Sequence, residues 1–166
     1  MGQRRIFVFL DIDGVLNTSS QWKRMYRLDD GCVSRFVAYI KSLKSDVRVI
    51  LTSSWKNGFD PAGNHTPQIK TLVDRFAADK IPIFGKTESR ADGDRAQEIN
   101  DYIASHRLEN DKCIVIDDDV DIFRAPLAKN CTMVLTDARI GFQIPSKPSG
   151  EGNSLSQRIV RFLGRA

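Results

Sequence analysis

Residues 6–17, Ile-Phe-Val-Phe-Leu-Asp-Ile-Asp-Gly-Val-Leu-Asn, constrain this chain most. A short, wholly apolar run ends in two carboxylates one residue apart, followed by glycine. Such a run is the mark of a strand buried on both faces of a parallel sheet. In open α/β sheets, ligands gather outside the carboxyl ends of the strands. Asp11 and Asp13 are therefore expected at the mouth of a site, with Gly14 allowing the chain to turn away. Two acids this close repel unless a cation or a shared proton lies between them.

The rest of the chain alternates strand and helix patterns. After a polar excursion over 12–29 that carries Trp22, Met25 and Tyr26, the spacing of Val33, Phe36, Val37, Ile40 and Leu43 predicts a helix over 30–44. Val47–Thr52 reads as a second strand, and the Gly, Pro and Asn residues of 57–64 as a loop. Thr66-Pro67 is an N-cap followed by proline at the first helical position, opening a helix to about 79. A short strand is expected at 81–84, a loop at 85–93, and a helix over 94–106 with Ala96, Ile99 and Ile103 on one face. Strands follow at 112–116 and 132–135. A closing amphipathic helix is expected over 154–163. Together these predict one domain over 1–166, a three-layer Rossmann-like α/β fold with a central, mostly parallel five-stranded sheet.

Composition excludes some classes. The 166 residues are 41% apolar and 28% charged, which suits a globular chain. A net charge of +4 favours an anionic ligand without demonstrating nucleic-acid binding. The apolar run at the amino terminus breaks at Asp11, too short for a signal peptide or a membrane span. Cys32, Cys113 and Cys131, odd in number and not closely paired, read as reduced core residues of a cytoplasmic protein.

Polar groups recur at strand ends: Asp11 and Asp13 after the first, Thr52-Ser53-Ser54 after the second, Lys86 after the third, Asp117 and Asp118 after the fourth. Right-handed crossovers bring these ends to one edge of the sheet. A carboxylate there can attack phosphorus, Mg²⁺ can be held by carboxylates and phosphate, and a second carboxylate can exchange protons with the leaving group and water. Gly85-Lys86-Thr87 is not a P-loop, because position 80 is Lys where that motif needs Gly. Asp117–Asp121 is not a calcium loop, because Ile122 and Ala128 occupy its glycine and glutamate positions.

These residues resemble the haloacid-dehalogenase (HAD) superfamily: Asp-Ile-Asp-Gly-Val-Leu, then Ser/Thr after strand two, then Lys, then an Asp pair after strand four. Leu-Thr-Ser-Ser-Trp, Gly-Lys-Thr, Arg95 with Glu98-Ile99, Ile-Asp-Asp-Asp and Val-Leu-Thr-Asp look like the small HAD domains linked to RNA-repair proteins. The resemblance implies a Mg²⁺-dependent phosphatase. Asp11 is then the nucleophile, and Asp13 the general acid/base that also offers its backbone carbonyl to the metal. Ser53 binds the phosphoryl oxygens, with Thr52 as the competing alignment and Ser54 a third candidate. Lys86 neutralises the transferring group, and Asp117 and Asp118 hold Mg²⁺. Trp55 is either core or a stacking surface for a base, and Arg95 is a candidate substrate contact.

Forty residues separate Asp13 from Ser53 and 33 separate Ser53 from Lys86, too few in either gap for a cap domain. An open crevice suits phosphorylated RNA or DNA ends or nucleotides. The alternative class is a phospho-accepting signalling module. Its acid pair comes first and its phosphorylated aspartate on a middle strand, the reverse of the order here. The leaving group, the phosphoryl acceptor and the oligomeric state are not legible in the sequence.

Overall fold

The computed structural model describes residues 5–24 and 26–145 and the backbone of 159–161. Strands β1 (Arg5–Leu10), β2 (Asp46–Leu51), β3 (Ile83–Lys86), β4 (Lys112–Asp117), β5 (Cys131–Leu135) and β6 (Ile159–Arg161) alternate with helices α1 (Asp30–Ser42), α2 (Pro67–Ala78), α3 (Arg95–Ser105) and α4 (Val120–Arg124). The spatial order is β3-β2-β1-β4-β5-β6, and every pairing is parallel. The five expected strands are all present and form a Rossmann-like α/β sheet. No cap domain is inserted among the described residues.

Side-chain alternation divides the core between the two faces. Val8, Leu10, Val49 and Leu51 face one side, where Val33, Phe36 and Ile40 of α1 and Ile69, Leu72 and Phe76 of α2 cover them. Phe7, Phe9, Ile50, Cys113 and Val115 face the other, against Ile99, Tyr102 and Ile103 of α3. Both faces are dry, which is why β1 is apolar at every position after Arg5. Phe36 stacks on Phe76 with ring centroids 5.4 Å apart. Cys32, Cys113 and Cys131 are buried and form no disulfide.

Helix starts follow their caps. Asp29 accepts from the Cys32 amide at 2.9 Å and Asp94 from the Gln97 amide at 2.9 Å. Thr66 has N-cap backbone geometry, but its hydroxyl makes no capping bond, and Pro67 sits at the first helical position.

Three expectations need correction. The third strand runs over Ile83–Lys86 rather than 81–84: Gly85 pairs with Ile50 and Lys86 with Leu51 after a register shift. Glycine suits that position because a Cβ there would approach the Tyr102 hydroxyl to 3.0 Å. Within the expected closing helix, Ile159–Arg161 form a strand beside β5, and the remainder of 154–163 lies outside the described residues. The segment expected as a loop from 57 begins inside a 3₁₀ turn, Ser54–Gly58, that buries Trp55 and Lys56.

No helix among the described residues is long and apolar enough to cross a membrane.

Candidate active site

The chain leaves β1 to build β2 and β3 on one side, then returns to build β4 on the other. The crevice between the carboxyl ends of β1 and β4 is therefore the topological switch point, where such sheets bind ligands. Register places the next residues in one row. Leu10 pairs with Leu51 and with Ile116, so Thr52, Asp11 and Asp117 are level with one another just beyond the sheet. The Asp11 amide donates to Ile116 O at 3.0 Å and the Thr52 amide to Leu10 O at 3.0 Å, which extends the ladder through that row.

Asp11, Asp117 and Asp118 each offer a carboxylate oxygen within 4.8 Å of the others. Asp11 and Asp117 are buried. Arg95, the first residue of α3, bridges them, with Nη1 3.2 Å from Asp11 Oδ1 and 2.8 Å from Asp117 Oδ2. Burial raises the Asp11 pKa well above the usual carboxylate value, and Asp117 adds repulsion that Arg95 only partly offsets. Burial also raises Asp117, and it raises Asp118, with help from Asp117, to about 6. Burial opposes the charge on Arg95, but Asp117 and Asp11 hold its pKa above the ordinary value. Gly14 has φ +76°, and a Cβ on it would collide with the Asp118 carboxylate.

Asp13 lies beside this cluster and is held differently. Its Oδ1 accepts from Asn17 Nδ2 at 2.7 Å and its Oδ2 from Trp55 Nε1 at 3.0 Å. Asn17 is fixed in turn, because its Oδ1 accepts from the Gly14 amide at 2.9 Å and from Trp22 Nε1 at 3.0 Å. The turn after β1 is thus closed by its own asparagine, and Asp13 is oriented from two sides.

The hydroxyls separate clearly. Ser53 Oγ accepts from the Trp55 amide at 3.3 Å and so caps the 3₁₀ turn. Ser54 is exposed. Thr52 Oγ1 is buried with no hydrogen-bond partner, one of two such side-chain atoms among the described residues. An orphaned hydroxyl level with Asp11 has spare capacity for a ligand oxygen.

Lys86 is the last residue of β3, paired with Leu51 of β2. Lys86 Nζ donates to the carbonyls of Lys56 at 3.2 Å and Phe59 at 2.9 Å and pairs with no described carboxylate. Among the described residues, Arg95 is the cation ion-paired with Asp11. Sequence reasoning also missed Asn17 and the buried pair Lys56–Glu98, in which Nζ lies 2.5 Å from Oε2. A Gly-x-x-Asn spacing hints at the first. No local signal marks the second, whose members are 42 residues apart.

The parallel sheet, the switch-point acids and the bridging arginine define an α/β protein with an acidic site at the carboxyl edge of its sheet. The family described as the HAD domain in Swiss Army Knife RNA repair proteins matches residues 7–146, and the chain belongs to it. Membership points to phosphatase-type hydrolase chemistry. No curated protein matches the chain.

The cluster suits a divalent cation: three carboxylates converge, and two of them are buried against their own preference for water. Without a cation, the folded Asp118 holds a proton that the unfolded chain releases above pH 3.8. Its share of stability is therefore complete below pH 3.8 and is lost as pH rises through about 6. Mg²⁺ added at pH 7.5 is expected to stabilise the fold by about 2.7 kcal/mol at a hundred times its Kd. That corresponds to roughly 5–10 °C in Tm for a chain of this size. At pH 4.5 the shift should largely vanish. Calorimetry with and without Mg²⁺ at the two pH values checks this, and equal shifts at both would contradict it.

Proposed function

We propose that this protein is a Mg²⁺-dependent phosphatase that hydrolyses a phosphate monoester on a nucleic-acid end or nucleotide through an aspartyl-phosphate on Asp11. The observation that carries this reading is the gathering of Asp11, Asp117 and Asp118 around one point at the switch of the sheet, with Arg95 between two of them. Membership in a family named for RNA repair supports the choice of substrate class.

Asp11, Asp117 and Asp118 would hold the metal, together with the Asp13 backbone carbonyl. Bound there, Mg²⁺ supplies positive charge that keeps Asp11 ionised and draws charge from the phosphoryl oxygens. An Asp11 carboxylate oxygen forms a bond to phosphorus as the ester bond to the leaving oxygen breaks. Asp13, aimed by Asn17 and Trp55, gives its proton to that oxygen. Asp13 then takes a proton from water, whose oxygen attacks phosphorus and releases Asp11 and inorganic phosphate. Arg95 offsets charge on Asp11, and Lys86 at the end of β3 is the cation proposed for the transferring group. Thr52 Oγ1 is the better hydroxyl for a phosphoryl oxygen, because Ser53 already caps its turn.

The test is phosphate release from 3′- and 5′-phosphorylated oligonucleotides, mononucleotides and sugar phosphates. Release that needs Mg²⁺, stops with chelator and is fastest on nucleotide esters is expected. No release from any ester, or release unaffected by chelator, would overturn the reading.

A further inference from the structure

Next to Asp13 lies a cavity of about 330 Å³ whose walls include Trp22, Arg24, Tyr26, Ser54 and Trp55. These two tryptophans are the chain's full complement. Trp22 and Tyr26 are 46% and 43% exposed, high for large rings in a folded chain. Tyr26 also holds φ +59°, a conformation uncommon for an aromatic residue, and sets its ring edge-on to Trp55 with centroids 5.0 Å apart. The same short segment carries exposed Lys23, Arg24 and Arg27. Rings interleaved with cations suit a flat base joined to a phosphate backbone.

We infer that this cavity is a nucleobase subsite, seating the base of the nucleotide whose phosphate reaches Asp11; the assignment rests on the phosphatase reading of the neighbouring acids. Position supports it. Trp55 donates to Asp13 directly, and Trp22 reaches it through Asn17, so the aromatic walls adjoin the group proposed to protonate the leaving oxygen. A leaving group must extend away from phosphorus on the Asp13 side, and this cavity lies there. Charge agrees as well, since Arg24 on the wall offers a partner for an adjoining phosphodiester.

The experiment measures binding and turnover separately. Tryptophan fluorescence is followed on adding adenosine 3′-monophosphate, adenosine 5′-monophosphate, a short 3′-phosphorylated single strand, or ribose 5-phosphate, which lacks a base. Saturable quenching by the base-bearing compounds and none by ribose 5-phosphate is expected. That result supports the subsite even if no ester is hydrolysed. Equal responses to ribose 5-phosphate, or none to any nucleotide, overturn it even if the phosphatase reading holds. Tighter, steeply salt-dependent binding of the strand identifies a strand end as the source of the base, and equal binding identifies a free nucleotide.

The ratio of kcat/KM for the nucleotide over that for ribose 5-phosphate should fall about tenfold or more in Trp22→Ala and Tyr26→Ala. Trp22→Phe, which keeps a ring but not the indole N–H, should retain most of the ratio. A ratio that Trp22→Phe loses as fully as Trp22→Ala would assign Trp22 to positioning Asn17 and overturn its role against a base.

Discussion

Asp11→Asn should lower kcat on the order of 10⁶-fold, the scale of removing a covalent nucleophile, while the protein stays folded. The two halves of this expectation have different origins. The rate falls because an amide oxygen cannot form the phosphoryl bond, and the other groups act only on that bond. The fold survives because Asp11 is a buried acid whose ionised form the protein disfavours. An amide of the same size relieves its repulsion with Asp117 and Asp118. Metal-free Asp11→Asn should therefore melt no lower than the parent at pH 8, with unchanged circular dichroism. Turnover within tenfold of the parent would remove Asp11 from the chemistry.

The largest effect on stability is expected at Lys56. Its ammonium is buried with the Glu98 carboxylate, and Thr87 Oγ1 lies 3.1 Å from Nζ. Glu98 Oε1 accepts from the Arg90 amide at 2.9 Å. The pair ties the 3₁₀ turn that holds Trp55 to the helix that begins with Arg95, so it spans both walls of the site. Lys56→Met leaves a buried carboxylate without its cation, which costs about 3–5 kcal/mol. For a chain of this size that is roughly 6–20 °C in Tm. Replacing both partners with apolar residues of similar volume should restore much of the loss, because two desolvated charges gain little over good packing. Thermal melts of the two single variants and the double variant measure the coupling. A Lys56→Met variant that melts within roughly 2 °C of the parent, a loss of about 1 kcal/mol or less, would show that the pair is not a structural tie.

Much of the fold was legible because its signals are local. A fully apolar β1 demands cover on both faces, and the 3.6-residue spacing of α1 and α3 says which residues supply it. The acid cluster was legible for the same reason: β1 and β4 both end in aspartates, and parallel strands share one carboxyl edge. The bounds of β3 were not legible. Gly85 reads as the opening of a loop, yet the strand runs on through it to Lys86 after a register shift that only the pairing with β2 reveals. One residue of register decides a side chain's face.

Arg95 appeared only as a candidate substrate contact, because sequence shows where a helix starts but not which strand ends it overlies. The choice between Thr52 and Ser53 depended on which hydroxyl already had a partner, a tertiary fact. Helix α4, five residues long after the Asp119 cap, is too short for periodicity to reveal.

The central claim is a covalent bond between phosphorus and Asp11. Rapid mixing with Mg²⁺ and a radiolabelled phosphate ester, followed by acid quench, tests it most directly. The account predicts label on the protein that hydroxylamine removes, located in the peptide containing Asp11 and absent from Asp11→Asn. Label on another residue, or steady phosphate release with no labelled protein at any mixing time, would contradict it.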